Sequence, residues 1–263
     1  MKTLITRSPA GAALALALAI TGSPPAFAAD EEIQVYMDEI GALRKLSLDV
    51  HVNHALVGRS FSSFPGEQIS DGRTRITPEF GYALSDSWEL GAYLPLANVD
   101  KDGEVSIDGV KLRLKYIAPH DAEKGWFWGA NLEIGYVNDT LDENPWNGEL
   151  KGIVGWRSGP WTLAGNLNLG FKVSGPIEAP VELGVATKAS YALSDTLSLG
   201  IENYNSFGEL EHLSAFDRND QQVFAVIDKT FANGWNLNFG VGWGYGEPED
   251  NFIVKAIVGV PLG

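Results

Sequence analysis

Two stretches of this 263-residue sequence alternate between large apolar residues and polar or small ones. From 234 to 245, tryptophan, leucine, phenylalanine, valine and tyrosine take every second position, with asparagine or glycine between them. The stretch from 160 to 172 follows the same rule with few exceptions. A period of two is typical of β-strands whose two faces meet different surroundings. The sequence therefore predicts a sheet with one apolar face and one face suited to water or packed polar groups.

Alternation and turn residues together predict twelve strands. Their approximate ranges are 45–57, 73–84, 87–97, 107–118, 126–137, 148–157, 160–172, 180–193, 196–206, 221–231, 234–245 and 251–262. The connections alternate between short turns and longer, more acidic loops, as in outer-membrane barrels, whose short turns face the periplasm. The sequence Tyr-Ala-Leu-Ser-Asp occupies two of the short turns, at 82–86 and 191–195. Either a duplicated six-stranded half or similar turn chemistry explains this repeat.

Aromatic residues flank the predicted short turns, on the apolar face of their strands. Ten of them are Tyr82, Trp88, Tyr116, Trp126, Trp128, Trp156, Trp161, Tyr191, Phe231 and Trp235. Tryptophan and tyrosine are enriched where a membrane protein meets the lipid head groups. A soluble sandwich would instead bury its aromatics in the middle of its strands. We therefore interpret these ten residues as membrane-interface aromatics.

The amino terminus has the features of a secretory signal peptide. Two basic residues precede an uncharged apolar run from 10 to 20, and Ala26–Ala28 fits a cleavage site. We predict a cleaved signal peptide at 1–29 and a single domain at 30–263. Beyond the signal peptide, no apolar run approaches the ~20 residues of a membrane-spanning helix.

These observations define the predicted fold class. It is all-β: an antiparallel up-and-down transmembrane β-barrel of about 12 strands, following a cleaved signal peptide. A soluble barrel or sandwich is the alternative. The formal charge of -15 becomes -17 once Lys2 and Arg7 are removed, which argues against nucleic acid as a partner. The absence of cysteine excludes disulfides and thiolate chemistry.

Charged residues at inward positions are the candidates for a solute path. Lys111, Arg113 and Lys115 share one face of the fourth predicted strand, and Glu89 and Glu133 lie at inward positions on its neighbours. One interpretation is a cationic stripe that attracts anionic or aromatic solutes, because rings of charge set the selectivity of pores. The other is that the three cations are paired with the two glutamates and simply fill the lumen.

No pattern predicts a metal, a cofactor or a catalytic centre. Asp100-Lys101-Asp102-Gly103 resembles part of a calcium loop but lacks the distal glutamate, so solvated loop charge is the preferred interpretation. His51 and His54 face opposite sides of a strand and cannot share one metal ion. No serine and histidine occur in a recognisable catalytic motif. We therefore predict no metal, no cofactor and no enzymatic activity.

Several stretches resemble a family of proteobacterial outer-membrane barrels. They are Glu32–Tyr36, Gly58-Arg59, Phe64–Gly66, Pro78–Tyr82, Glu89–Pro95, Gly159–Trp161, Phe224–Asp228 and Phe239–Gly242. The chain is similar along nearly all of its mature length to barrels loosely grouped with the transporters of phenol-degradation operons. This resemblance implies the movement of small organic molecules across the outer membrane.

The expected function follows from the barrel, the belt of aromatics and the resemblance. We expect an outer-membrane channel or transporter for small, aromatic or anionic organic solutes in a Gram-negative cell. The expected partners are the lipid bilayer, lipopolysaccharide, the small-molecule solute and the outer-membrane assembly machinery. Two alternatives stay open: an outer-membrane lipid-modifying enzyme, and a closed structural or surface-binding barrel.

Overall fold

The computed structural model describes residues 32–177, 179–247 and 250–262. The predicted signal peptide lies outside the described residues. The described chain is almost entirely strand. The elements are β1 (Leu46–Val57), β2 (Thr74–Ala83), β3 (Trp88–Val99), β4 (Val105–Ile117), β5 (Gly125–Val137), β6 (Trp146–Ser158), β7 (Trp161–Ser174), β8 (Glu182–Ser194), β9 (Leu197–Glu209), β10 (His212–Leu213), a 3-10 helix (Phe216–Arg218), β11 (Asp220–Thr230), β12 (Asn236–Gly246) and β13 (Phe252–Pro261).

The strands form a closed antiparallel barrel. Each strand from β1 to β8 pairs with the next one along the chain, β9 pairs with β11, and β11 to β13 continue the ladder. Closure comes from β13, which pairs with β1 from Pro261 opposite Ser47 to Phe252 opposite Val57. The two-residue strand β10 pairs with β9 outside this ring. The prediction of a twelve-stranded antiparallel barrel is confirmed.

The two faces of the barrel differ as the period of two predicts. Leucine, isoleucine, valine and tryptophan project from the outer face. The most exposed of the tryptophan side chains is Trp126, at 71%. The alternate residues turn inward and are mostly buried polar and charged groups. An apolar exterior around a polar interior reverses the pattern of a soluble barrel. No helix among the described residues is long and apolar enough to span a membrane.

Most connections alternate in length around the barrel as predicted, but residues 118–124, on the short-turn side, form a longer connection than residues 100–104 on the other side. Short turns join β2 to β3, β6 to β7 and β8 to β9, whereas residues 58–73 and 210–219 form long loops at the opposite end. At the β6–β7 turn, Gly159 has a φ of +55°, which glycine adopts without steric cost. The sequence did not predict β10 or the 3-10 helix, because both are too short for a repeating pattern of apolar residues to be recognised.

Residues 32–45 enter the barrel before β1 begins, and we call them the lumen segment. Val35 and Tyr36 pack against a patch on the inner wall that includes Ile117, Phe127 and Ile153. Further along, Arg44 donates its backbone N–H to the carbonyl of Ala83, at the short-turn end of β2. The segment therefore runs from the interior of the barrel to the rim that carries the short turns.

Candidate solute path

The lumen segment is held by strands on two nearly opposite sides of the barrel. The N–H of Tyr36 donates to Asn166 Oδ1 on β7 at 2.7 Å, and Asn166 Nδ2 donates to the Tyr36 carbonyl at 2.9 Å. On β13, Lys255 Nζ donates to the Ile33 carbonyl at 2.8 Å. In the closed ring, β7 and β13 lie five strands apart by one route and seven by the other. The segment thus crosses the lumen and narrows it.

The ring of Tyr36 gathers three cations of the wall. Lys151 Nζ lies 4.1 Å from the ring centroid, and the side chains of Arg113 and Lys115 lie 5.6 and 5.7 Å from it. A cation over an aromatic face is attracted by the ring quadrupole, more strongly where water is excluded. At the edge of the ring, the Tyr36 hydroxyl lies 2.6 Å from that of Tyr93. Tyr36 is therefore central to the contacts between the segment and the wall.

The predicted cationic stripe on β4 is largely neutralised by glutamates. Arg113 Nη2 lies 2.6 Å from Glu79 and 2.8 Å from Glu89, and Lys115 Nζ lies 3.0 Å from Glu89. We call these four residues the β2–β4 ion cluster. Lys111, on the same face of β4, is half-buried and also has an interaction partner. The arrangement matches the space-filling interpretation for Arg113 and Lys115, with Glu79 as a partner that the sequence did not indicate.

Glu133 binds uncharged groups rather than the cations of β4 that were considered as its partners. It lies directly opposite Arg113 in the β4–β5 ladder. Its carboxylate nevertheless accepts hydrogen bonds from Asn131 at 2.7 Å, from Tyr36 at 3.3 Å and from Tyr93 at 3.4 Å. The Arg113 side chain instead extends the other way across β3. It can do so because Gly91 has no side chain: an added Cβ there would come within 2.5 Å of Arg113 Nε.

A second group of buried charges lies on β8, β9, β11 and β13. Glu202 receives Lys188 at 3.1 Å and also pairs with Lys255, and Lys188 reaches Asp228 at 2.8 Å. We call these residues the β8–β13 ion cluster. Buried charges need partners of this kind, since an isolated one is costly in a medium of low dielectric constant. Because Lys255 also binds the Ile33 carbonyl, this cluster connects the wall to the lumen segment.

Ionic and backbone contacts also fix the segment near the short-turn rim. Asp38 accepts hydrogen bonds from both terminal nitrogens of Arg157 and lies 2.7 Å from His120 Nε2. Burial favours the neutral acid, but the Arg157 guanidinium and His120 outweigh it, so the pKa of Asp38 is lowered from 3.8. Nearby, the N–H of Gly41 donates to Glu89 at 2.7 Å.

The inner end of the segment has the opposite electrostatics. Burial and the neighbouring Glu133 carboxylate raise the pKa of Glu32 to about 7, although Lys151 and His51 act in the opposite direction. Its Oε2 accepts a hydrogen bond from the Tyr93 hydroxyl at 3.0 Å. The segment therefore carries a well-paired acid at the rim and a less well-paired one in the interior.

Two cavities lie along the lumen beside the segment. The larger, of about 670 Å³, borders residues 34–41 and is lined by side chains from β1 to β4, from β6 to β9 and from β11 to β13. The smaller, of about 130 Å³, borders Ile33, Asn168, Tyr204 and Gln222 on the other side. Both cavities have mixed polar and apolar walls. The interior is thus a narrow path interrupted by the segment rather than a wide aqueous pore.

The ten predicted interface aromatics lie on the outer face, next to the short turns. Trp88 packs against Tyr116 with ring centroids 4.8 Å apart and the two planes tilted by 46°, and Trp161 meets Tyr191 edge-on at 4.9 Å. In the ladder Trp126 lies opposite Trp156. Cross-strand aromatic pairs stabilise a sheet in addition to the area they bury. They form a band around the short-turn end of the barrel.

Sequence reasoning missed the lumen segment and the residues that hold it. Polar and apolar residues alternate only over Glu32–Val35, which is too short to indicate a strand, so no strand was predicted in residues 32–44 and no position in the lumen was inferred. The signal that could have found them was the resemblance of Glu32–Tyr36 to other barrels, together with three apolar residues, Ile33, Val35 and Tyr36, placed ahead of the first strand. An apolar stretch ahead of the first strand needs a surface to cover it.

The closed barrel, with an apolar exterior and a charged interior, has the fold of outer-membrane porins and channels. Three solved structures show this likeness. The COG4313 outer membrane channel from Pseudomonas putida F1 has a TM-score of 0.59 and 17% identity, over 87% of this chain and 99% of that one. The KdgM porin has a TM-score of 0.54 and 9% identity over 82% and 99%, and the NanC porin 0.51 and 8% over 83% and 99%. No protein-family model and no curated protein matches the sequence.

Proposed function

We propose that this protein is an outer-membrane channel for small organic solutes, in which the lumen segment restricts the path. The single observation that supports this most directly is the pair of cavities on either side of a segment held by hydrogen bonds and ion pairs. Such contacts exchange readily with water, since each has a modest net free energy. Movement of the segment would join the cavities into a continuous path.

The location and partners belong to the same proposal. The apolar outer face and its aromatic band suit a lipid bilayer bounded by head groups. Export through the predicted signal peptide and insertion by the outer-membrane assembly machinery would place the short turns in the periplasm and the long loops beside lipopolysaccharide. The resemblance of the sequence to transporters of phenol-degradation operons is the reason for proposing small organic molecules as the solutes.

The charge of the solute is a finer part of the proposal. The larger cavity is lined by five basic and six acidic side chains. Arg113 and Lys115 are paired with glutamates, so they contribute little free positive charge to the path. This balance supports solutes of low net charge, aromatic ones included, more than strongly anionic ones. The reversal potential in a salt gradient tests it: we expect weak ion selectivity, and strong anion selectivity would contradict this part.

Transport itself is tested with the purified mature protein in planar bilayers and in liposomes. We expect small single-channel currents and uptake of small neutral and aromatic solutes, falling steeply with solute size. Variant Asn166→Ala, which weakens the hold on the segment, serves as a second form of the channel. The proposal is wrong if neither protein passes current or solute after correct insertion has been verified by heat-modifiable gel mobility.

A closed structural barrel is the second candidate, because the segment contacts opposite walls. The same experiment separates it from a channel. A lipid-modifying enzyme is the third, and the porins and channels that share this fold support transport instead. A phospholipase assay on the purified wild type and on Asn166→Ala tests the third candidate. Release of fatty acid by either protein would favour an enzyme.

A further inference from the structure

Three potential metal ligands meet inside the barrel where the lumen segment touches the wall. Glu32 comes from the segment, His51 from β1 and Glu79 from β2, and each offers one donor atom within 4.8 Å of the others. His51 is fully buried, and Glu79 is nearly so. Three ligands from three separate parts of the chain are therefore brought together only by the folded barrel with its segment in place.

One carboxylate oxygen of this group has no partner, which points to a ligand. Glu79 Oε1 is used by Arg113 at 2.6 Å, and Glu79 Oε2 shares a proton with His51 Nε2 at 3.1 Å, a proton that a metal ion would replace. Glu32 Oε2 accepts the Tyr93 hydroxyl, and the buried Oε1 of Glu32 has no hydrogen-bond partner among the described residues. Buried polar atoms are rarely left unsatisfied, because losing water without replacement is costly.

We propose that Glu32, His51 and Glu79 bind a divalent transition-metal ion of the zinc class. Zinc takes imidazole nitrogen and carboxylate oxygen at about 2.0–2.2 Å in tetrahedral geometry, so two donors on one ion lie roughly 3.3–3.6 Å apart. The three donors lie within 4.8 Å of one another, and side-chain rotations that move them by about 1 Å would bring them to that spacing. Two carboxylates and a neutral imidazole match the charge of the ion, and a fourth position stays open for water or a solute.

The surrounding groups support the two carboxylate ligands. Arg113 holds one oxygen of Glu79, and the Tyr93 hydroxyl holds one oxygen of Glu32, as outer partners that orient a metal ligand commonly do. Lys151, a further cation of the inner wall, is paired with Glu149 at 2.9 Å. The ion would tie Glu32 to β1 and β2, and so fix the inner end of the lumen segment to the wall.

Metal binding to the purified mature protein tests this site directly. Isothermal titration with Zn²⁺ and visible absorption with Co²⁺ are measured on the wild type, on Glu32→Gln, on His51→Asn and on His54→Asn. His54 lies on the same strand but contacts Thr74 on the other face, so His54→Asn is the matched control. Glu32 lies outside every strand, so Glu32→Gln leaves the barrel ladder intact even if His51→Asn impairs folding.

We expect one zinc per wild-type chain and the same affinity in His54→Asn. Glu32→Gln and His51→Asn should weaken binding by more than about tenfold and change the Co²⁺ spectrum. Failure of the wild type to bind zinc overturns the site, as does wild-type affinity in Glu32→Gln. The result is independent of transport, because metal binding is measured whether or not the barrel conducts.

Discussion

The backbone of Tyr36 and the side chain of Asn166 exchange two hydrogen bonds inside the barrel, at 2.7 and 2.9 Å. The amide of Asn166 acts here like a neighbouring strand, since it offers one acceptor to the N–H and one donor to the carbonyl of the same residue. A segment without regular structure is thereby held to the wall at Tyr36, in addition to its contacts at Ile33, Asp38 and Gly41. The strength of the Tyr36–Asn166 contact contributes to how often the lumen segment leaves its place.

Replacing Asn166 with alanine should increase the fraction of time for which the channel is open. The two bonds together are worth about 1–3 kcal/mol, and each ~1.4 kcal/mol changes an equilibrium tenfold. Released states should therefore become about 5 to 150 times more frequent, and single-channel recordings should show longer open periods.

The matched control for that experiment is Asn168→Ala, two residues along the same face of β7. Asn168 borders the smaller cavity, and its Oδ1 has no hydrogen-bond partner among the described residues. It should leave the open time unchanged. Equal recordings from the two variants would show that the Asn166 contact does not restrain the segment.

The barrel could be predicted from the sequence because its signals are local. A period of two and the turn residues identify strands within windows of about ten residues. Connection lengths then orient the barrel. The position of the lumen segment is set by contacts far apart in sequence, such as Ile33 with Lys255, and no local pattern encodes it.

The pairing of charges in the lumen could be predicted only in part. The alternation of residues along each strand placed Arg113 and Glu89 on the inner face of the barrel. The pairing of β4 with β5 would have suggested Glu133 as the cross-strand partner of Arg113. The direction of the Arg113 side chain depends on Gly91, which lets it cross β3, and on the ring of Tyr36 beneath it. Both are features of packing that appear only in the assembled barrel.

An arginine on the outer face should destabilise the inserted barrel according to its depth. Leu167 is 51% exposed near the middle of β7, so Leu167→Arg should cost about 2–4 kcal/mol, whereas Trp161→Arg beside the short turn should cost only ~0–1 through charge. Urea unfolding in lipid vesicles measures the difference. Asn168→Arg places the same charge on the inner face of β7, next to residue 167. It should therefore be tolerated better than Leu167→Arg. Equal losses at residues 167 and 168 would contradict the face assignment.

Acid should loosen the rim end of the lumen segment. The pKa of Asp38 is lowered from 3.8, because the Arg157 guanidinium and His120 outweigh the effect of burial. Its contribution to holding the segment is present above 3.8 and is lost as the pH falls through the lowered pKa. Lowering the pH from neutral to below 3.8 should therefore increase open time in wild-type recordings.

Variant Asp38→Asn isolates that titration from the protonation of other carboxylates. It cannot gain a proton, so its open time should already be raised at neutral pH and should change less on acidification. Identical pH profiles for the wild type and Asp38→Asn would show that the Asp38–Arg157 pair does not control the segment.

Removing the shared anion of the β8–β13 ion cluster should be among the most destabilising changes in the lumen. Glu202 is 2% exposed and pairs with both Lys188 and Lys255. Glu202→Ala leaves buried positive charge without its main partner, a change that costs about 3–5 kcal/mol in buried pairs.

The control is Glu209→Ala on the same strand. The Glu209 side chain is 41% exposed and lies 3.8 Å from exposed His212, a contact worth ~0–1 kcal/mol. Urea midpoints in lipid vesicles should separate the two variants clearly, and similar midpoints would mean that water reaches Lys188 and Lys255 and that the lumen is wetter than this packing implies.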